Sequence, residues 1–169
     1  GHVLIYGNGM DNLWGWESGA GPWGSSNNYD VYVNVGDYRT STGLFKTTND
    51  NIATNTFASL AHPSANDFDG LDTAAAYDPV ADNAIVATAV ESGPSTSANT
   101  TYSNPAFSMG YLWYYEKLLS KGYHLGPTID HDNHKTTFGK TTRSRTAVIA
   151  PGPTLTKAAM MTAMRNMNF

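Results

Sequence analysis

AIVATAV, residues 84–90, is the clearest strand in the sequence, because short apolar runs of this kind are typical of strands buried on both faces. Two similar runs precede it, at 3–6 (VLIY) and 57–61 (FASLA). A fourth run follows at 146–150 (TAVIA). The four runs predict the strands of one buried sheet.

Helical patterns alternate with these strands. The best helix is predicted at 105–121, where Pro105 suits the first helical position. A last helix is expected to begin after a cap at Thr154 or Thr156 and to continue to Met167. Buried strands separated by helices favour a parallel sheet or barrel, in which functional side chains collect at the carboxyl ends of the strands.

Composition excludes several classes of function. The 169 residues suffice for one domain, and the sequence contains no cysteine for disulfides, thiolate ligands or nucleophiles. The net charge is −4 with only 10 Lys and Arg, so nucleic-acid binding is not expected. No apolar run is long enough to span a membrane. Only 14% of residues are charged, a composition common in exported proteins, which predicts an extracellular or periplasmic location.

The densest group of candidate metal ligands is DHDNH, residues 130–134. Imidazole together with carboxylate suits zinc, manganese or iron. Asp132 and His134 are two residues apart, so they would point the same way in an extended segment. A calcium loop is disfavoured because its sixth position, counted from Asp130, would be Lys135 rather than glycine. The alternative is a polar loop in which an aspartate caps the next element.

Four further side chains are candidates, each with a structural alternative. His62 ends the strand 57–61, where a ligand would lie, but the backbone could also satisfy it. His2 leads into the first strand, although a terminal Gly-His can be left over from cloning. Glu91 ends the clearest strand as a functional carboxylate or an exposed cap. Arg145 could contact a substrate phosphate or stay at the surface.

Taken in order, these fragments resemble the PHP (polymerase and histidinol phosphatase) superfamily of metal-dependent phosphoesterases, and most closely its exported bacterial PHP-like members. The resemblance is strongest from Gly122 onwards. The matching fragments are GHVL (1–4), LAHP (60–63), GYHLGP (122–127), DNH (132–134), Gly139, RTAV (145–148) and the helix after Leu155.

The resemblance implies part of a distorted (β/α)₇ barrel with up to three metals at the carboxyl ends of its strands. It implies His2, His62, Asp132 and His134 as metal ligands, with Glu91 near the cleft. The family also opens with a His-x-His pair and a further upstream glutamate, which this sequence lacks. We therefore interpret residues 1–169 as one PHP-like domain without its amino-terminal His-x-His segment, either a carboxy-terminal fragment or a degenerate relative.

The predicted function is a metal-dependent hydrolase of phosphate esters, in which His- and Asp-bound zinc, manganese or iron activates water. Glu91 and Arg145 are its catalytic candidates. The expected partners are a small phosphate ester or sugar, and the chain could associate with a missing amino-terminal segment or with itself. The alternative is a non-catalytic extracellular structural or carbohydrate-binding protein on a degenerate PHP-like scaffold, in which the tryptophans between Trp14 and Trp23 could stack on a sugar.

Overall fold

The computed structural model describes residues 1–7, 16–17, 30–31, 38–39, 43–50, 52–101, 110–137 and 139–169. The described strands are β1 (His2–Tyr6), β2 (Trp16–Glu17), β3 (Asp30–Val31), β4 (Phe57–Ala61), β5 (Ile85–Ser92) and β6 (Gly126–Asp130). The described helices are short: α1 (Leu44–Asp50), α2 (Asp67–Gly70), α3 (Pro79–Ala84), α4 (Leu112–Ser120) and α5 (Lys157–Arg165). A 3-10 turn, Ile52–Thr54, follows α1.

Four strands form one open mixed sheet in the order β1-β4-β5-β6. Strands β4, β5 and β6 are parallel, whereas β1 pairs antiparallel with β4. The predicted (β/α)₇ barrel is therefore wrong. In a closed barrel every strand has two neighbours, but β1 and β6 are edges of the described sheet, and β2 pairs with β3 separately. The described part of the chain is a small α/β domain.

Three of the four predicted strands are confirmed. Strands β1 and β4 match their runs closely, and β5 continues two residues beyond its run, to Ser92. The fourth prediction is wrong, because residues 146–150 have no regular secondary structure and the side chain of Ile149 is 74% exposed. The sheet is completed by β6, which was not predicted. Its Pro127 cannot donate to a ladder and is tolerated because β6 lies at the edge.

The helix predictions are confirmed in part. Helix α5 is the predicted last helix, and the hydroxyl of Thr156 caps it by accepting a hydrogen bond from the Ala159 N–H. Helix α4 is the described part of the predicted helix at 105–121, whereas 102–109 lie outside the described residues. Within the described residues no helix is long and apolar enough to cross a bilayer, as expected.

The sheet lies between two apolar layers. Alternate residues of β4 point to opposite faces, so Leu60 joins one cluster and Phe57 the other. The larger cluster packs the sheet against helices α1 to α4 and includes the fully buried Tyr114. The smaller cluster packs Phe57 against Met161 of α5. Both faces of β4 and β5 are therefore covered. Functional side chains are expected at the ends of the strands.

Asp78 ties α3 to two other parts of the fold. Its Oδ1 accepts hydrogen bonds from the backbone N–H of Val80 (2.9 Å) and Ala81 (3.4 Å), which caps the helix. Its Oδ2 accepts from Arg39 Nε at 3.0 Å, in an ion pair whose side chains are mostly buried. Its own N–H donates to the hydroxyl of Tyr123. Asp78 therefore holds three segments together, two through its carboxylate and one through its backbone N–H.

We expect Asp78→Ala to lower the free energy of unfolding by about 2 kcal/mol, because it removes a helix cap and leaves Arg39 without its partner. Asp78→Asn keeps an oxygen for the cap and loses only the charge, so its cost should be about half as large. Urea unfolding of the three proteins measures both values. Equal losses for the two variants would show that the ion pair, and not the cap, carries the stability.

Candidate metal-binding site

Two imidazoles and one carboxylate meet beyond the carboxyl end of β4. His2 Nδ1 lies 2.9 Å from His62 Nε2, and the two rings meet edge to face with centroids 4.7 Å apart. Asp132 Oδ1 lies 3.9 Å from the same His62 nitrogen. The structure therefore brings together three of the four ligands implied by the resemblance, from positions 60 and 70 residues apart in the chain.

Strand pairing explains why the two histidines meet. His2 begins β1 and lies opposite Ala61, the last residue of β4, because the two strands are antiparallel. His62 follows Ala61 directly, and Pro63 then ends the strand. A parallel β1 would have placed His2 at the other end of the sheet.

Asp132 lies in the loop after β6, which is held against the loop after β5. The His134 N–H donates to the Ser95 carbonyl at 2.9 Å, and the Gly93 N–H donates to the Asp130 carbonyl at 3.2 Å. Through these bonds the 131–134 loop extends past β5 towards β4. The carboxylate of Asp132 consequently reaches His62 although β4 and β6 are not neighbours.

Both His62 and Asp132 have a left-handed backbone, with φ of 30° and 48°. This conformation is uncommon for residues other than glycine and costs about 1 kcal/mol or more. Aspartate adopts it fairly readily, but histidine less so. Strain of this kind concentrates at functional sites, where the surrounding structure holds it in place. The two strained residues also contact each other, which favours a functional origin.

The charge state of His2 suits a ligand. Burial lowers its pKa, and the neighbouring His62 and the terminal amino group lower it further, whereas Asp132 and Asp67 oppose the change. The 2.9 Å contact also requires one ring nitrogen to donate and the other to accept. His2 is therefore neutral at pH 7, which is the form of imidazole that binds metals.

Two carboxylates at the carboxyl ends of β5 and β6 have buried oxygens. Glu91 Oε2 and Asp130 Oδ2 are inaccessible to solvent and have no hydrogen-bond partner among the described residues. Burial, and then the charge of Asp132, raise the pKa of Asp130 to about 6. Glu91 and Asp130 lie on the adjacent strands β5 and β6, in which Ser92 is opposite Asp130. An unpartnered buried carboxylate is costly unless a proton or a cation accompanies it.

The other predicted site residues face different partners. His134 Nδ1 contacts the backbone carbonyl of Asp132 at 2.6 Å, which leaves its Nε2 as the ring nitrogen that could bind a metal. Arg145 donates to carbonyls of its own loop, those of Thr142, Ser144 and Gly139. Metal ligation by His134 and phosphate contact by Arg145 stay predictions, and the structure assigns both side chains local contacts.

The donor distances agree with one shared cation only in part. Two ligands that each bind a metal at about 2.1 Å are about 3.0 Å apart at a right angle and about 3.4 Å apart at the tetrahedral angle. The His2–His62 contact of 2.9 Å matches the first value, whereas the 3.9 Å between His62 and Asp132 exceeds both. Among the described side chains, no three His, Asp or Glu residues already form a complete metal site. A small movement of Asp132 would be needed.

Asp67 is a neighbour of this site that the sequence did not reveal. Its Oδ2 accepts hydrogen bonds from the Ser64 N–H at 2.6 Å and from the amino group of Gly1. Its charge also acts on His2, where it raises the pKa. Asp67 stands outside any motif, so only its position shortly after the His62-Pro63 pair could have suggested it.

No protein-family model, curated protein or solved structure matches this chain. The resemblance to the PHP superfamily therefore stays a prediction. The geometry at the end of β4 has to support any function on its own.

Asp130 allows a test of how a buried carboxylate at the end of β6 affects stability. Its folded-state pKa of about 6 exceeds the ordinary aspartate value of 3.8, so the folded protein holds the proton more tightly than the unfolded chain. Its burial therefore lowers stability increasingly as the pH rises between these two values. In chelator-treated protein, we expect Asp130→Asn to raise the free energy of unfolding by about 2 kcal/mol at neutral pH.

The gain from Asp130→Asn should disappear below about pH 4, where the carboxyl is protonated in both states. Urea unfolding at neutral pH and at about pH 3.5 measures the difference. A gain of the same size at both pH values would mean that amide hydrogen bonds, and not relief of a buried charge, stabilise the variant.

Proposed function

We propose that this chain binds a divalent transition metal through His2, His62 and Asp132 and hydrolyses small phosphate esters at that site. The observation that carries the proposal is the 2.9 Å approach of His2 Nδ1 to His62 Nε2, with an aspartate oxygen 3.9 Å away. Strand pairing brings the two imidazoles to one end of the sheet, and the loop after β6 places a carboxylate beside them.

The donor set suits zinc, manganese or iron. Neutral imidazoles supply two nitrogen donors, and the aspartate supplies one oxygen and a negative charge that partly balances the cation. With three protein ligands, such a site keeps open positions, as catalytic metal sites do. Asp132 lies in a loop rather than in the sheet, which makes it the ligand able to move inwards.

When bound, a metal of this kind lowers the pKa of a water molecule and polarises a phosphoryl oxygen. Glu91 is the chain's own candidate to accept the proton of that water, since its Oε2 has no partner among the described residues. Asp130, with its raised pKa, is protonated about as often as not near pH 6 and can hold a proton beside Asp132. In this proposal Glu91 would accept a proton and Asp130 would hold one.

The substrate class rests on the resemblance to PHP phosphoesterases, and membership of that superfamily and an exported location are part of the proposal. A phosphate ester is compatible with a metal site because its oxygens bind hard and borderline cations well. The open sheet leaves the carboxyl ends of β4, β5 and β6 on one side, where a small substrate could reach the ligands.

A non-catalytic role is the second candidate, and one observation favours it. The guanidinium of Arg145, the expected phosphate contact, donates to three carbonyls of its own loop. If the protein is not catalytic, the proposed metal ligands would form a binding or structural site on an extracellular protein. The tryptophan-rich stretch between Trp14 and Trp23, proposed for sugar stacking, lies outside the described residues except for the backbone of Trp16 and Glu17.

Calorimetric titration with Zn²⁺ and Mn²⁺ tests the metal site. We expect His62→Asn to weaken binding about a hundredfold, because it removes the central ligand while asparagine still adopts the left-handed conformation. Asp132→Asn should weaken it about tenfold, because the amide lacks the charge.

His134→Asn is the discriminating variant, because it makes the same substitution two residues from Asp132. It should change the metal affinity by less than about threefold, because the three proposed ligands do not include His134. If His134→Asn abolished binding and His62→Asn did not, the Asp-x-His pair would be the site and the proposed one would be wrong.

Hydrolysis of bis(p-nitrophenyl) phosphate by metal-loaded protein separates the two candidate functions. The catalytic proposal expects turnover that Glu91→Gln lowers about a hundredfold without altering metal affinity. Metal binding without turnover, in wild type and variants alike, would support the non-catalytic role.

A further inference from the structure

A second site lies at the other end of the sheet. A cavity of about 310 Å³ opens where β5 begins, between the end of α3, His124 and the end of α5. The candidate metal ligands lie beyond the opposite ends of β4 and β6. The volume of the cavity is at the lower limit of typical small-molecule pockets.

Arg165 gives this cavity its charge. It is the last residue of α5, and burial lowers the pKa of its guanidinium. Its Nη2 donates to Asn83 Oδ1 at 3.1 Å, a neutral partner. Within the described residues, no carboxylate lies within ion-pair distance of Arg165. A partly buried cation with four further N–H donors is well suited to a planar anion.

Asp82 also lines the cavity, but its oxygens are already engaged. Oδ1 accepts from the His124 N–H at 2.6 Å, and Oδ2 accepts from His124 Nδ1 at 3.0 Å and from the Tyr77 hydroxyl at 2.7 Å. Burial raises the pKa of Asp82, but the hydrogen bonds from His124 and Tyr77 outweigh it and the pKa is lowered. Asp82 therefore orients the His124 ring and does not neutralise Arg165.

The rest of the lining is partly apolar. Ile85 and Val86 begin β5, and Met167 follows α5 with a left-handed backbone. Asn166 contributes a second side-chain amide beside Asn83. The lining therefore combines one guanidinium and two amides with apolar carbon, next to the engaged Asp82 and His124. That combination matches a small carboxylate with a hydrophobic body better than an inorganic oxyanion.

We propose that this cavity binds a small apolar-bodied carboxylate, with its carboxylate paired to Arg165 and its body against Ile85, Val86 and Met167. The site does not depend on the metal ligands. Loss of His62 or Asp132 should therefore leave it intact.

Benzoate is the probe, titrated into the ¹⁵N-labelled full chain and followed by NMR. We expect saturable binding with the largest shifts at Asn83, Ile85, His124 and Asn166. Arg165→Gln should weaken binding about tenfold or more. Lys157→Gln is the matched control, because it removes the same charge from the exposed first residue of the same helix, and it should leave the affinity within about twofold.

Two further probes complete the test. Methyl benzoate, which keeps the ring and lacks the charge, should not shift these residues, and inorganic phosphate should bind more weakly than benzoate. The proposal is overturned if benzoate fails to saturate by about 10 mM, if its shifts centre elsewhere, or if phosphate binds as tightly. The wild-type shift map decides the outcome even if Arg165→Gln does not fold.

Discussion

The antiparallel pairing of β1 with β4 is the constraint on which the candidate metal site depends. Strands β4, β5 and β6 alone would form a parallel sheet whose carboxyl ends carry His62, Glu91 and Asp130. Because β1 runs the other way, its first residue lies at that same end, and His2 arrives beside His62. The same pairing removes the possibility of a closed parallel barrel. This one choice of strand direction therefore supplies the second imidazole.

Parallel strands give the two ends of the sheet different chemistry. At the carboxyl ends, loops return between neighbouring strands, and bonds such as His134 N–H to the Ser95 carbonyl bring acidic and imidazole groups together. At the amino ends, α3 leads into β5 and α5 ends nearby, so the cavity there contains a helix-terminal cation, Arg165. This difference is the basis for proposing a metal at the first end and an anion at the second.

The sequence predicted the parts that depend on local pattern. Apolar runs located β1, β4 and β5, whereas β6 was missed because Gly126 and Pro127 disguise an edge strand. The number, order and direction of the strands are set by long-range contacts, which is why the barrel prediction was wrong. His2, His62 and Asp132 could be chosen as convergent ligands, but the local bonds of His134 and Arg145 depend on loop conformation. Arg165 gave no signal, because a basic residue ending a helix normally serves the helix dipole.

Several features that each lower stability lie at or just after the carboxyl ends of β4, β5 and β6. His62 and Asp132 have left-handed backbones, and Glu91 and Asp130 have buried oxygens with no partner among the described residues. None of these features is required by the packing of the sheet, whose two apolar clusters lie on its faces. Stabilising substitutions are common, so mutation could readily remove backbone strain and buried charge that served no function. A cation at the proposed site would hold the strained His62 and Asp132 in place and offset the negative charge beside Asp130.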